Sequence, residues 1–199
     1  GLYPAGEYDL VGAIVGVVKR NQLVTGDAVR PGDILLGLPS TGLHTNGYSL
    51  ARRIFFEMAG LRVTDVCPGT KRSIADVLLA VHRSYLKPVR ALRERVTVRG
   101  MAHITGGGLV DNIPRVLPDG IQAVVDRSAW TPPPVFRALQ DLGGVDEMEM
   151  IRVFNMGIGF AIFVRPDDAD AALEALRAVR AGPKVIGYAE RGRGGVRFM

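Results

Sequence analysis

Residues 33–59 decide the fold, and they read DILLGLPSTGLHTNGYSLARRIFFEMA. The run Asp33–Leu38 is short and almost wholly apolar, which predicts a buried strand. After the polar stretch Ser40–Ser49, apolar side chains recur at helical spacing and predict an amphipathic helix over Tyr48–Ala59. These apolar side chains are Leu50, Ile54, Phe55 and Met58. A strand, a glycine-containing loop and a helix therefore follow one another, which is typical of an α/β protein.

The rest of the chain continues this mixture of strand and helix patterns. β-Branched and aromatic runs predict further strands at Leu10–Val18, Val96–Ile104, Ile121–Val125, Met150–Phe154, Ile158–Val164, Val185–Ala189 and Val196–Phe198. Helical spacing and capping residues predict helices from Ser73 past Pro88, at Pro132–Leu142 and at Asp167–Val179, with a helical turn at Asp111–Val116. The elements alternate irregularly, without an internal repeat. We therefore expect a layered α/β domain of the α+β type, in which helices cover a mixed β-sheet.

The composition is that of an ordinary globular protein, with 47% hydrophobic and 23% charged residues among 199. The apolar runs are too short to span a membrane, and no secretory signal is visible at the start. Cys67 is the only cysteine, which excludes an intramolecular disulfide and fits a cytoplasmic location. The net charge of +5 comes from arginines scattered among acids. This pattern favours a solvated surface that attracts small anions over a nucleic-acid interface.

The polar stretch between the first strand and the first helix is the first candidate site. A helix start presents unpaired backbone N–H groups, and glycines let the backbone approach an anion closely. His44 is a candidate general acid or base, or a cationic phosphate contact near neutral pH. The alternative is a tight turn whose polar groups only satisfy the backbone. The other candidate ligand contacts in this stretch are Ser40, Thr41, Gly42, Thr45, Asn46 and Gly47.

A second glycine loop follows the strand pattern that ends at Ile104. Successive glycines can form a concave nest of N–H groups that cradles an anion. Alternatively, the glycines only clear space for a neighbouring helix. The candidate anion contacts here are Thr105, Gly106, Gly107 and Gly108.

Asn155 and the remaining histidines are weaker candidates. Asn155 lies between two predicted strands, where it either points into a ligand cleft or belongs to a hairpin turn, and the pattern favours the turn. His82 is predicted on a helix surface, and His103 is predicted as a packed residue of a half-buried strand. The histidines lack a carboxylate pair or a cysteine set beside them, so no metal ligand is predicted. Neither loop is a Walker A motif or a dinucleotide fingerprint.

Taken together, these motifs resemble phosphoribosylformylglycinamidine cyclo-ligase, the aminoimidazole ribonucleotide (AIR) synthetase family of purine biosynthesis. The resemblance extends over nearly the whole chain. One departure is Val81-His82-Arg83-Ser84-Tyr85, where the family often has Pro-Thr-Arg-Ile-Tyr. The segments that carry the resemblance are Ser40–Leu50, His103–Gly108 running on into Asn112–Pro118, Phe154–Gly159, Tyr8–Gly12 and Val15–Val18.

The resemblance implies a domain organisation and a reaction. Residues 1–20 are then the final strand of an N-terminal domain that binds ATP and dimerises, 21–31 a linker, and 32–199 the C-terminal domain of the AIR synthetase-like fold. The implied reaction is ATP-dependent ring closure of formylglycinamidine ribonucleotide by a homodimer, with Mg²⁺ as a further cofactor. His44 is the first choice for a residue close to the chemistry, and Asn46 is expected to orient the ligand.

Two alternatives stay open. The chain could be another ATP-using member of the same superfamily, or a phosphate-binding module without catalytic activity. The resemblance places the ligands of the metal and ATP upstream of residue 1. We therefore expect the isolated chain to be inactive in ring closure.

Overall fold

A mixed six-stranded sheet forms the centre of the protein. The computed structural model describes residues 6, 8 and 11–199. The strands lie in the order β2-β4-β1-β5-β3-β6, and neighbours are antiparallel except β3 and β6, which are parallel. The predicted mixed sheet and α+β class are confirmed. The strands are β1 (Ile34–Pro39), β2 (Gly100–His103), β3 (Ile121–Val125), β4 (Ile158–Val164), β5 (Lys184–Arg191) and β6 (Val196–Phe198).

Helices surround this sheet. Among residues 6, 8 and 11–199, each helix is too short or too polar to cross a lipid bilayer. The first helix continues as a π-helical turn over Arg53–Met58. The helices are α1 (Tyr48–Arg52), α2 (Ile74–Leu78), α3 (Leu86–Arg93), α4 (Gly108–Asn112), α5 (Pro134–Gly143), α6 (Glu147–Val153) and α7 (Ala169–Ala178).

The sheet is covered on both faces because successive side chains of a strand point to opposite sides. Along β1, Leu35 packs with Leu109 of α4 on one face. The next residue, Leu36, belongs to the core on the other face, where α3 and α7 contribute Leu92 and Leu176. Helices α1, α2, α5 and α6 form a further apolar cluster, which contains Phe55, Phe136 and Phe154. This helical cluster lies next to the first glycine loop, since Leu43 of that loop is one of its buried members.

The segment before Asn155 is a helix and not the predicted strand Met150–Phe154. α6 begins after Asp146, whose carboxylate accepts the N–H of Met148 at 2.8 Å, and glutamates occupy its first turn. An acidic cap and acidic residues near a helix N-terminus outweigh a short apolar run, which periodicity alone cannot assign. Asn155 therefore joins a helix to a strand, and the hairpin interpretation is wrong.

The predicted helix from Ser73 past Pro88 is two helices. Ser73 caps α2 as predicted, because its hydroxyl accepts the N–H of Asp76 at 3.0 Å. α2 ends at Leu78, and α3 begins at Leu86 with Pro88 in its first turn, where a missing N–H is tolerated. The non-helical segment between them reaches the first glycine loop.

The predicted strand Leu10–Val18 does not join the sheet in the described part of the chain. Leu10 itself lies outside the described residues, and the segment that follows is exposed, with Val11 at 93% and Ile14 at 97%. The assignment of residues 1–20 to a separate domain, and of 21–31 to a linker, stays a prediction. Within the second range, Val29 is fully buried in the sheet core.

A buried ion pair fixes the start of β1. Asp33 is only 1% exposed, and both of its carboxylate oxygens accept from Arg99 Nη1, at 2.9 and 3.0 Å. The same carboxylate also accepts the N–H of Arg30 at 2.8 Å. A buried carboxylate is tolerated only with such partners. The pair thus ties the entry of β1 to the segment that leads into β2.

We expect Asp33→Ala to lower the free energy of unfolding by about 3 kcal/mol, because it leaves Arg99 without its partner in a largely buried position. Asp141→Ala is the matched control, since Asp141 pairs with Arg137 on the surface. It should cost less than about 1 kcal/mol. Urea unfolding of both variants measures the difference, and equal losses would contradict the structural role of Asp33.

Candidate functional site

The first glycine loop has an unusual backbone between β1 and α1. His44 and Thr45 are successive non-glycine residues with positive φ, at 56° and 66°. Gly47, with φ of 75°, then occupies the N-cap of α1, so Asn46 does not cap the helix. Left-handed conformations of side-chain-bearing residues cost free energy and persist only where neighbouring contacts hold them.

Asn155 supplies those contacts from the turn before β4. It is 1% exposed, and its side-chain carbonyl accepts from the Ser40 hydroxyl at 2.9 Å and from the Gly157 N–H at 2.8 Å. Its side-chain amide donates to the backbone carbonyls of Gly42 and Leu43, at 2.8 and 3.1 Å. Both ends of the amide are therefore engaged inside the protein. This arrangement favours a positioning role for Asn155 over direct contact with a ligand.

The other polar side chains of the loop also bond within the protein. Thr41 donates its hydroxyl hydrogen to the carbonyl of Val81 at 2.7 Å. Thr45 donates to the carbonyl of His44, and Asn46 Nδ2 donates to the same carbonyl at 2.9 Å. Thr41 and Thr45 are exposed and Asn46 is half-buried. These three side chains therefore remain within reach of a ligand, whereas the Ser40 hydroxyl is committed to Asn155.

His44 is buried at 2% exposure and is bonded to its own loop. Its Nε2 accepts the backbone N–H of Thr41 at 2.9 Å and lies 3.4 Å from the backbone nitrogen of Arg83. Two donors directed at one nitrogen place the lone pair there, so the neutral ring carries its proton on Nδ1. Nδ1 is buried and has no hydrogen-bond partner among the described residues.

The environment of His44 keeps the ring neutral. Burial is the main cause that lowers its pKa from 6.5 to about 4, and the nearby His82, His103 and Arg83 lower it further. The sequence prediction of a cationic phosphate contact near neutral pH is therefore not supported. A loop sequence does not reveal that its histidine turns inward, and the role of His44 toward a ligand stays a prediction.

The second glycine loop leads into α4 and is held by Asn112, a residue that the sequence analysis did not single out. Asn112 is 3% exposed and accepts from the Thr105 hydroxyl at 3.0 Å. Its side-chain amide donates to the carbonyls of Gly106 and Gly108, at 3.1 and 2.8 Å. A buried asparagine thus fixes this loop as well. The signals in the sequence were an amide side chain shortly after the glycines and its place in the segment Asn112–Pro118, which carries the family resemblance.

The glycines of the second loop serve different purposes. Gly108 has a φ of 58°, and a methyl group on it would lie 1.9 Å from the carbonyl oxygen of Ile151 in α6. This glycine therefore permits close packing of α4 against α6. Gly107 has a φ of 93° and lies against the carboxylate of Asp111. That negative charge weakens the attraction of this side of the loop for an anion. Gly106 is exposed.

The two loops and three histidines meet at one place. A methyl group on Gly106 would lie 3.5 Å from Oδ1 of Asn46, so the loops are neighbours. His82 stacks on His44 with ring centroids 4.0 Å apart, and its Nε2 lies 3.0 Å from Nε2 of His103. The sequence pattern predicts His82 on a helix surface, but it is half-buried in the segment between α2 and α3. The fold therefore gathers histidines that are far apart in sequence.

A cavity of about 530 Å³ opens beside this cluster. Thr45 and Tyr48 form its wall on the loop side, and the segment from Leu78 to His82 forms the other. A separate recess of about 350 Å³ lies beyond α4, between Trp130 and Phe198, and contains none of the predicted site residues. Of these two cavities, the larger is the one that adjoins a predicted glycine loop.

Comparison with known proteins identifies the family. Residues 30–199 match the family described as "AIR synthase related protein, C-terminal domain". The phosphoribosylformylglycinamidine cyclo-ligase of Burkholderia cenocepacia (strain HI2424) is 52% identical over 178 residues, which cover 89% of this chain and 50% of the relative. That of Thermoanaerobacter sp. (strain X514) is 44% identical over 196 residues, 98% of this chain and 58% of the relative. The chain thus spans about half the length of these curated relatives.

Solved structures agree with the fold. Thiamine-monophosphate kinase from Stenotrophomonas maltophilia K279a matches with a TM-score of 0.59 at 18% identity, over 91% of this chain and 54% of that one. Hydrogenase maturation protein HypE in complex with ATP matches with a TM-score of 0.54 at 22% identity, over 83% and 44%. The chain belongs to the AIR synthase related protein family, through the C-terminal domain of that family.

The burial of His44 should make stability depend on pH. Its folded pKa of about 4 lies below the value of 6.5 expected in the unfolded chain. The unfolded chain therefore binds more protons between these values. The resulting stability is fully present above pH 6.5 and is lost as the pH falls toward 4. We expect a loss of about 2 kcal/mol once partial solvent screening is allowed for.

Urea unfolding between pH 7 and pH 4.5, in the presence of EDTA, measures this loss. His44→Gln should remove most of it, because glutamine has no titrating group. Identical pH dependence in the variant and the unaltered chain would show that His44 is not responsible.

Gly108→Ala should destabilise the protein far more than Gly120→Ala. Both glycines have positive φ, at 58° and 75°, but a methyl group at Gly120 meets no atom within 4 Å. Gly120→Ala therefore reports backbone strain alone, about 1 kcal/mol. The clash with Ile151 should add about 3 kcal/mol at Gly108. Chemical denaturation of the two variants tests this difference, and similar losses would contradict the close packing of α4 on α6.

Proposed function

We propose that this chain is the C-terminal half of a phosphoribosylformylglycinamidine cyclo-ligase, an ATP-dependent enzyme of purine biosynthesis in the cytoplasm. The two glycine loops would form one wall of the pocket for formylglycinamidine ribonucleotide. The observation that carries the proposal is the extent of the match to a curated cyclo-ligase, 44% identity across 98% of the chain.

The geometry supports a binding role for the loops. Each loop is fixed by a buried asparagine, Asn155 for the first and Asn112 for the second. Rigid backbone and prearranged N–H groups are what a phosphate site requires, because no free energy is then lost in ordering the loop on binding. The exposed residues Gly106 and Thr45 lie where the two loops adjoin, a place that we call the mouth, and there they are available to a phosphate.

The proposed reaction depends mainly on positioning. The formyl oxygen of the substrate is activated by phosphoryl transfer from ATP, an internal nitrogen attacks the activated carbon, and phosphate leaves. Such chemistry is served by holding the reacting groups together and by offsetting phosphate charge. In this scheme Asn46 orients the substrate, and the neutral ring of His44 stays close to the chemistry while holding Thr41.

ATP and Mg²⁺ are the proposed cofactors. A structural neighbour, HypE, has been solved in complex with ATP, which supports a nucleotide for this fold. Mg²⁺ prefers oxygen ligands. Among the described residues, the group of side chains that could together hold a metal ion consists of three histidines and does not suit Mg²⁺. The oxygen ligands for this ion are therefore expected in the remaining half of the enzyme, which would also supply the homodimer interface.

A second candidate function is that of another ATP-using member of the superfamily. Thiamine-monophosphate kinase shares the fold at 18% identity. The cyclo-ligase is favoured because its identity to this chain is 44–52%. A phosphate-binding module without catalysis is the third candidate, and activity of the complete protein distinguishes it.

We expect the 199-residue chain alone to lack ATP-dependent ring closure. The same chain should be active when it is joined to the N-terminal half of a cyclo-ligase. The assay follows conversion of formylglycinamidine ribonucleotide to aminoimidazole ribonucleotide, with ADP and phosphate measured in parallel.

Turnover by the isolated chain would contradict the expectation that ring closure requires the N-terminal half of the enzyme. An inactive joined protein that is folded and dimeric would argue against the cyclo-ligase function. In that case thiamine monophosphate is the substrate to assay next.

A further inference from the structure

Three histidines from separate parts of the sequence converge at the mouth between the glycine loops. His44 belongs to the first loop, His82 to the segment between α2 and α3, and His103 to the end of β2. Their candidate ligand atoms all lie within 4.8 Å of one another. We propose that these three imidazoles form a binding site for one divalent transition-metal ion of the zinc type. This proposal does not rest on the cyclo-ligase function, although it shares His44 with the candidate site of that function.

The spacing of two ligand atoms supports the proposal. Nε2 of His82 lies 3.0 Å from Nε2 of His103. Two nitrogens bound to one tetrahedral zinc at 2.0–2.1 Å are separated by about 3.3 Å. Without an ion this contact is an N–H···N hydrogen bond, so the two rings become two ligands when the donating ring moves its proton to Nδ1 and the nitrogens separate by a few tenths of an ångström. His103 is exposed and His82 half-buried, so an ion can enter from solvent and keep a water molecule as its fourth ligand.

The third ligand requires a local rearrangement. The rings of His44 and His82 are stacked with an interplanar angle of 17°, so their nitrogens do not yet face a common point. Binding therefore requires the His82 ring to turn out of the stack. If His44 binds through Nε2, the ion replaces the hydrogen bond from the Thr41 N–H. Thr41 is exposed, so water can accept that N–H.

The chemistry of the donors selects the class of ion. Imidazole nitrogen suits zinc, nickel and copper, whereas magnesium and calcium prefer oxygen. The group contains no carboxylate and no thiolate, so three neutral ligands leave the ion its full charge. The guanidinium of Arg83 is close but donates to the carbonyls of Arg180 and Ala181. We therefore expect weaker binding than at sites with cysteine ligands, and we expect a bound ion to attract anions to the mouth.

Zinc titration of the full chain, after treatment with EDTA and removal of the chelator, tests the proposal. Calorimetry should show one ion per chain, and Co²⁺ in its place should give the visible absorption of a tetrahedral site. His44→Gln, His82→Gln and His103→Gln should each weaken Zn²⁺ binding by at least about tenfold. Cys67→Ala is the control, because it removes the only thiol of the chain and should leave the affinity unchanged.

Nuclear magnetic resonance of the unaltered chain avoids reliance on variants that fold poorly. The sequence contains three histidines, so each imidazole can be followed separately by its nitrogen resonances. One equivalent of Zn²⁺ should shift the resonances of all three rings. The proposal is overturned if no one-to-one binding occurs, if Cys67→Ala abolishes it, or if the His44 resonances do not move. The measurement uses Zn²⁺ alone, without nucleotide, so its outcome is separate from that of the ring-closure assay.

Discussion

The side-chain amide of Asn155 is the interaction on which the arrangement of the site depends. It lies where α6 ends and before β4 begins, so it is placed by both the helical layer and the sheet. Its two donated bonds fix the carbonyls of Gly42 and Leu43, and its acceptor holds Ser40. His44 and Thr45, whose backbone is strained by positive φ, come directly after these residues in the chain. A left-handed pair of this kind persists because the residues before it are anchored.

Asn112 fixes the second loop in the same way, through its side-chain amide. Its buried amide finds acceptors in the loop carbonyls of Gly106 and Gly108, and an amide left without such partners is costly in a protein interior. Gly108 completes the arrangement by allowing α4 to approach the carbonyl of Ile151. The two loops are therefore parts of one packed unit in which sheet, α4 and α6 meet. Their N–H groups are held in place by the core rather than by a ligand.

The sequence was sufficient for the elements with strong patterns and insufficient where tertiary contacts decide. The apolar run at β1 and the glycine loop after it were predictable because local composition determines both. Met150–Phe154 was not, since a short apolar run fits a strand or a helix and the acidic cap at Asp146 decided the outcome. His44 was found as a candidate, but its inward orientation depends on Thr41 and Arg83. His82 and His103 come to lie beside it because of the topology of the whole fold, which a local sequence pattern does not determine.

The charges at the mouth set a limit on what this domain can do with a phosphate by itself. His44 is neutral at physiological pH, and its burial prevents it from becoming a cation there. The carboxylate of Asp111 lies against Gly107, which is unfavourable to an anion on that side. The guanidinium of Arg83 is engaged with backbone carbonyls. Backbone N–H groups and hydroxyls remain, and these orient a phosphate well but carry only partial charges. Under the proposed function, a transferring phosphoryl group would need more positive charge than they provide, so the cations would come from outside the loops, through a second domain or a bound ion.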